Sequence, residues 1–183
     1  MTGTNNHNDL ETKNLQQNLQ RVIYLLSKYK LVEGFVQMQE FPHQELDKSL
    51  AHKQDLLELQ GLLDKFHPAD IAYILEALPL EDRLMIWDLV KAERDGEILL
   101  ETSDAVRETL IATMDSGELV AATELLDADE IADLAPDLPR NVLDDLFQTL
   151  PTEEREQLRS AISYPEDAVG ALMDFDMVTI RED

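Results

Sequence analysis

Apolar residues recur at helical spacing along the first third of the chain. A first stripe predicts a helix over about residues 13–30, because its members repeat every three or four positions. A second stripe predicts one or two helices over residues 44–66. Residues 1–12 are polar and lack a period, so we expect them to be disordered. The first stripe consists of Leu15, Leu19, Val22, Ile23 and Leu26, and the second of Leu56, Leu57, Leu59, Leu62, Leu63 and Phe66.

From His67 onward the chain is predicted to form a series of short helices. Proline is tolerated in the first turn of a helix, and serine, threonine and aspartate are preferred caps, so these residues mark the helix starts. Asp127 and Glu130 have the spacing of a capping box. Helix starts are therefore expected at or next to Pro68, Pro79, Asp95, Ser103, Glu118, Asp127, Pro139 and Thr152.

This series contains a repeat. A displacement of sixty residues places Ile71 on Ile131 and Pro79 on Pro139, and the Leu-Pro step recurs at Leu150. Short amphipathic helices cannot bury their apolar stripes alone, so they are expected to stack in pairs. The pattern predicts an all-α fold, a superhelix of short helical hairpins.

The last part of the chain, residues 164–183, departs from this pattern. Asp176 to Ile180 alternates and favours a β-strand that nothing after it could pair with. We therefore expect a short non-helical C-terminal tail, and a chain that is a fragment of a longer protein.

Composition and charge narrow the possible functions. The formal net charge is −24, and the 25 acidic and 6 basic residues from Ala92 onward account for −19 of it. Such a field disfavours nucleic acid and anionic lipid as partners and attracts cations. Zero cysteines exclude thiolate metal sites and cysteine nucleophiles. No apolar run is long enough to span a bilayer and no export signal is present, so the chain is expected to be soluble, without direct membrane insertion.

Enzyme signatures are absent from the sequence, and we expect no catalytic site. The acidic residues suit Mg²⁺, which prefers oxygen ligands. Asp129 and Asp133 lie one helical turn apart, whereas the first copy of the repeat has Ala69 and Tyr73 at the matching places. Two interpretations stay open. The two carboxylates form a metal site, or Asp129 merely favours the helix N-terminus while Asp133 faces water.

Several motifs resemble the cytoplasmic N-terminal domain of the MgtE-type magnesium transporters over roughly residues 45–183. They comprise Phe66 to Ile71, the Leu-Pro steps, Asp129 to Leu134 and above all Tyr164 to Met173. The last motif is similar to the junction with a pair of CBS domains. Ala171 and Asp174 depart from the family pattern.

The resemblance implies a bacterial magnesium channel of the inner membrane, built as a homodimer, whose N domain is a right-handed, armadillo-like superhelix on the cytoplasmic side. In such proteins Mg²⁺ between the N domain and the CBS domains holds the pore closed. The matching positions for the acidic metal ligands are Glu97, Asp129 and Asp133, of which Glu97 has the weaker local match. The expected partners are the protein's own CBS and transmembrane domains. Because the fragment holds only half of each site, we expect it to bind Mg²⁺ weakly or not at all by itself.

The predicted domains are a disordered terminus (1–12), an additional N-terminal helical segment (13–44), the superhelix (45–163), and a linker with the start of a CBS domain (164–183). The alternative function is a protein-interaction scaffold without ion sensing, since stacked short helices also resemble the armadillo-like domains of the flagellar motor switch protein FliG.

Overall fold

A computed structural model describes the backbone of residues 4–37 and 45–163, and the side chains of residues 13–31 and 53–162. The described part contains helices and no strand, which confirms the all-α class. The tail and the strand expected within residues 164–183 lie outside it. The helices are α1 (Thr4–Gln37), α2 (Glu45–Leu63), α3 (Pro68–Ala77), α4 (Leu80–Trp87), α5 (Asp95–Glu101), α6 (Asp104–Ile111), α7 (Ser116–Thr123), α8 (Ala128–Leu134), α9 (Arg140–Thr149) and α10 (Thr152–Ser163), with a 3-10 turn at Ala92–Arg94.

The first helix is longer than the sequence pattern predicts. It begins at Thr4 and so includes residues 4–12, which the sequence pattern left outside the helix. Forming the first turn of a helix is unfavourable, whereas each residue added afterwards gains one hydrogen bond. The turns held by buried Val22, Leu25 and Leu26 provide that first turn, and the polar residues before them extend the helix at little cost.

From α3 to α10 a helical element begins every twelve residues; at the third step this element is the 3-10 turn Ala92–Arg94, which α5 follows at Asp95. Each start is preceded by a residue in the N-cap position, and these residues follow one another twelve positions apart. They are His67, Pro79, Lys91, Ser103, Asp115, Asp127 and Pro139, followed by Pro151 just before α10. The sixty-residue similarity in the sequence is therefore five steps of a twelve-residue repeat.

Burial follows this repeat. When the N-cap residue is counted as position 1, position 8 is buried in every copy, because it lies on the inward face two turns into the helix. The residues at position 8 are Ile74, Ile86, Ile98, Leu110, Ala122, Leu134, Leu146 and Leu158. Each helix buries at least one further residue beside position 8, and its outward positions carry the charge.

Arginine at position 5 closes the preceding helix. Arg83, Arg107 and Arg155 each donate from Nη2 to the backbone carbonyl five residues earlier, at 3.1, 2.9 and 2.9 Å. The last carbonyls of a helix lack intrahelical donors, and a guanidinium supplies them. Arg107 also donates from Nε to Leu99 O at 2.8 Å.

The chain divides into two compact units, residues 1–90 and 91–183. In the first unit α1 packs on α2 and α3, and α3 packs on α4. The predicted stripe of α2 is partly wrong, because Leu57 is 58% exposed and Asp55 is buried instead. Asp55 accepts a hydrogen bond from Lys28 of α1, so an ion pair between the two helices satisfies the buried carboxylate.

In the second unit several helices pack on helices two or three further along the chain. Helix α5 contacts α7 and α8, α7 contacts α9, and α8 contacts α10. Two N-caps are capping boxes. The predicted one places Glu130 Oε2 2.9 Å from Asp127 N. The other, at Asp115 and Glu118, was missed because the Ser-Gly pair that follows Asp115 resembles a break.

Candidate functional site

The three predicted metal ligands lie on α5 and α8, which pack against each other in the second unit. Glu97 and Asp133 occupy position 7 of their repeats, and Asp129 occupies position 3, one turn before Asp133. Glu97 and Asp133 are exposed, and Asp129 is half-buried. The repeat therefore gives Glu97 and Asp133 the same place on two neighbouring helices.

These carboxylates have the free oxygens that a hard cation requires. Within residues 13–31 and 53–162, no basic side chain forms an ion pair with Glu97, Asp129 or Asp133. In the same residues no three Asp, Glu or His side chains come close enough together to hold a metal ion. Mg²⁺ keeps several waters and usually takes one or two carboxylates from a protein element. The three carboxylates therefore do not form a complete metal site among the described residues.

Asp129 also lines an acidic cavity of about 540 Å³. The cavity lies between the α7–α8 connection and the first turns of α10, and no lysine or arginine lines it. Glu124, Glu153 and Glu154 belong to it, although the sequence analysis did not select them. Asp129 and Glu153 both occupy position 3 of their repeats. The twelve-residue register is the sequence signal that relates these two acids.

Asp95, next to the predicted ligands, has an unusual carboxyl group. It stands at position 5, where the other repeats have Ile, Leu or Arg, and this position turns toward the neighbouring helices. Burial raises the pKa of Asp95 from 3.8 to about 7, with a further contribution from the carboxylate of Glu118 on α7. The apolar surroundings penalise the charged form, and the nearby charge adds to the effect. Ionisation of Asp95 therefore destabilises the packing of α5 against the neighbouring helices.

Gly96 fixes the position of α5 against α7. A Cβ atom at Gly96 would lie 2.1 Å from the backbone oxygen of Ala122 and 3.1 Å from Cγ and Cδ1 of Leu126. The residue is buried and its φ is not positive, so it provides close approach and not an unusual backbone conformation. The glycine determines how near the helix of Glu97 comes to the rest of the second unit.

Comparison with known proteins identifies one family. The family model of the MgtE intracellular N domain matches residues 66–167, which is more than half of the chain. None of the curated proteins compared with the chain matches it. In the part of the chain that the structure describes, no helix combines the length and the apolar character needed to cross a membrane.

Proposed function

Since the chain belongs to the family of MgtE intracellular N domains, we propose that it senses Mg²⁺ and regulates transport by a MgtE-type magnesium transporter. Glu97, Asp129 and Asp133 supply the acidic half of regulatory sites whose other half lies on the CBS domains of the same protein. Docking of the two acidic surfaces closes the pore. The family consists of transporter domains and not of enzymes, and its match favours this function over a flagellar-type scaffold.

The main support for the proposal is the shared register of Glu97 and Asp133 on two packed helices, with Asp129 one turn away. Like charges one turn apart destabilise a helix by a few tenths of a kcal/mol unless they are neutralised. The repeat does not require acids there, since Tyr73 and Ala69 occupy these positions in α3. The carboxylates are therefore better explained by binding than by folding.

The charge distribution gives the physical basis of the switch. Two acidic surfaces repel each other, and each pair of charges about 4 Å apart contributes about 1–4 kcal/mol, depending on the local dielectric. Mg²⁺ bridging the carboxylates converts this repulsion into attraction. A ligand that binds only the docked form shifts the population toward docking by its differential affinity. The domain alone has half of each site, so its own affinity for Mg²⁺ is low.

The test is the double variant Asp129→Asn and Asp133→Asn in the homodimeric transporter that carries this domain. We expect Mg²⁺-dependent closure, measured as ion flux against Mg²⁺ concentration, to require a higher concentration than in the wild type. The matched control is Asp104→Asn with Glu108→Gln, an exposed acid pair at the same spacing on α6. Unchanged closure in the first variant, or an equal shift in the control, would contradict the proposal.

A further inference from the structure

Two cavities meet on the surface of the second unit. The first, of about 360 Å³, lies between α7 and α9 and includes Val120 and Ala121. The second is the acidic cavity of about 540 Å³ beside α10. Glu124 lines both. The cavities are therefore adjacent at Glu124, and we refer to them together as the α7–α10 groove.

The groove has apolar surface that the chain does not cover. Leu125 lines the second cavity and is 70% exposed, the highest exposure of any large apolar side chain in the described residues. Exposed Pro151 lines the same cavity, and Leu126 and Ala128, which are largely buried, form part of its wall. Burial of an exposed leucine in a partner's apolar contact is favourable. An occupant that places an apolar side chain against Leu125 would therefore bind more tightly.

The charged positions around the groove all have one sign. Six carboxylates line the two cavities and no basic side chain does. An incoming cationic side chain therefore meets no lysine or arginine of the groove that already pairs with these carboxylates. Exposed single-sign clefts attract partners of opposite charge. The six are Glu124, Asp127, Asp129, Asp145, Glu153 and Glu154.

We propose that the α7–α10 groove binds a basic amphipathic helical segment of a protein partner, with leucine-type side chains on one face and lysine or arginine on the other. The apolar side chains contact Leu125 and the lining residues Val120 and Ala121, and the basic ones pair with the surrounding carboxylates. Stacked helical repeats use such surfaces to bind extended or helical segments of other chains.

This inference does not depend on magnesium sensing, but the two functions share Asp129. A basic segment in the groove neutralises the carboxylate of Asp129 and excludes a metal ion from it. Mg²⁺ and the segment should therefore compete. Binding of the segment can be measured in the absence of Mg²⁺, so failure of one proposal leaves the other standing.

The experiment measures the anisotropy of a fluorescein-labelled synthetic peptide of lysine and leucine, patterned as an amphipathic helix, as the 183-residue chain is titrated into it. A reference peptide has the same lysines but serine in place of leucine. We expect the reference peptide to bind about tenfold more weakly. Equal affinity of the two peptides would overturn the inference, because it would show diffuse charge attraction without a groove.

Variants of the chain locate the binding surface. Leu125→Ser should weaken the leucine-containing peptide about tenfold, and Glu153→Gln with Glu154→Gln about fivefold. The control Asp104→Asn with Glu108→Gln removes the same number of carboxylates outside the groove and should leave the affinity unchanged. The groove assignment is overturned if Leu125→Ser binds like the wild type, or if the control weakens binding as much as the glutamate pair. Circular dichroism confirms that each variant is folded.

Discussion

Replacement of Gly96 by alanine tests the close approach of α5 and α7. The added Cβ would lie 2.1 Å from Ala122 O, whereas real Cβ atoms essentially never come within 3.0 Å of another heavy atom of this kind. The clash involves a backbone atom, which cannot rotate away. The two helices must therefore separate by roughly 1 Å, in a core whose side chains are packed at crystal density.

The magnitude follows from two opposing effects. Overpacking a core costs about 1–3 kcal/mol, and a backbone clash lies at the upper end of that range. Alanine regains about 1 kcal/mol of helix propensity over glycine. We expect Gly96→Ala to lower the free energy of unfolding by about 2 kcal/mol. The same substitution at Gly61 of α2 meets nothing within 4 Å and should raise it by about 0.5–1 kcal/mol.

The assay is urea unfolding followed by far-UV circular dichroism and by fluorescence of Trp87, the single tryptophan, which lies in the first unit. Gly96→Ala should move the urea midpoint of the dichroism curve down by roughly 1 M, and Gly61→Ala should move the Trp87 transition up. Two probes are needed because a chain of two units need not unfold in one step. A Gly96→Ala protein as stable as the wild type would refute the close approach of α5 and α7.

Two further predictions concern charged groups of the second unit. Asp95→Asn should stabilise the protein at pH 8 and leave its stability nearly unchanged at pH 4, because the raised pKa of Asp95 favours folding of the protonated form and stability falls as pH rises from 3.8 to about 7. The full pKa shift corresponds to about 4 kcal/mol, which partial exposure reduces to about 1–2 kcal/mol. Equal effects of the substitution at both pH values in urea unfolding would contradict the assignment. Arg107→Met removes hydrogen bonds to Leu99 and Thr102 and the ion pair with Asp137, so it should cost about 3 kcal/mol in the same measurement, whereas exposed Arg140→Met should change stability little.

The order and boundaries of the helices after His67 follow closely from local sequence. Proline and capping side chains act on the backbone within three or four residues of themselves, so their effect needs no knowledge of the remaining chain. The capping box at Asp127 and the helix that begins after Pro139 are examples. Asp115 was missed because Ser-Gly is ambiguous between a break and the first turn of a helix. The first turns of α1 were missed because helix extension depends on packing elsewhere in that helix.

The candidate acidic ligands came from the family resemblance of the sequence, but their surroundings did not. Glu97, Asp129 and Asp133 remain predictions, and the structure adds that their helices are packed together. Contacts between helices that are distant in sequence bring Glu153 and Asp129 to the same cavity and bury Asp95 near Glu118. A residue's pKa and its access to a groove depend on these neighbours and on the solvent they exclude, which no local pattern encodes.

Sequence alone determined that this chain is helical, where its short helices begin, and that its second half is strongly acidic, because propensity, capping and net charge are properties of the residues themselves. Only the tertiary structure decided that Gly96 must lack a side chain, that Asp55 is buried against Lys28, and that Leu125 faces a groove of carboxylates. Each of these depends on the distance between helices, which is set by packing of side chains far apart in the chain.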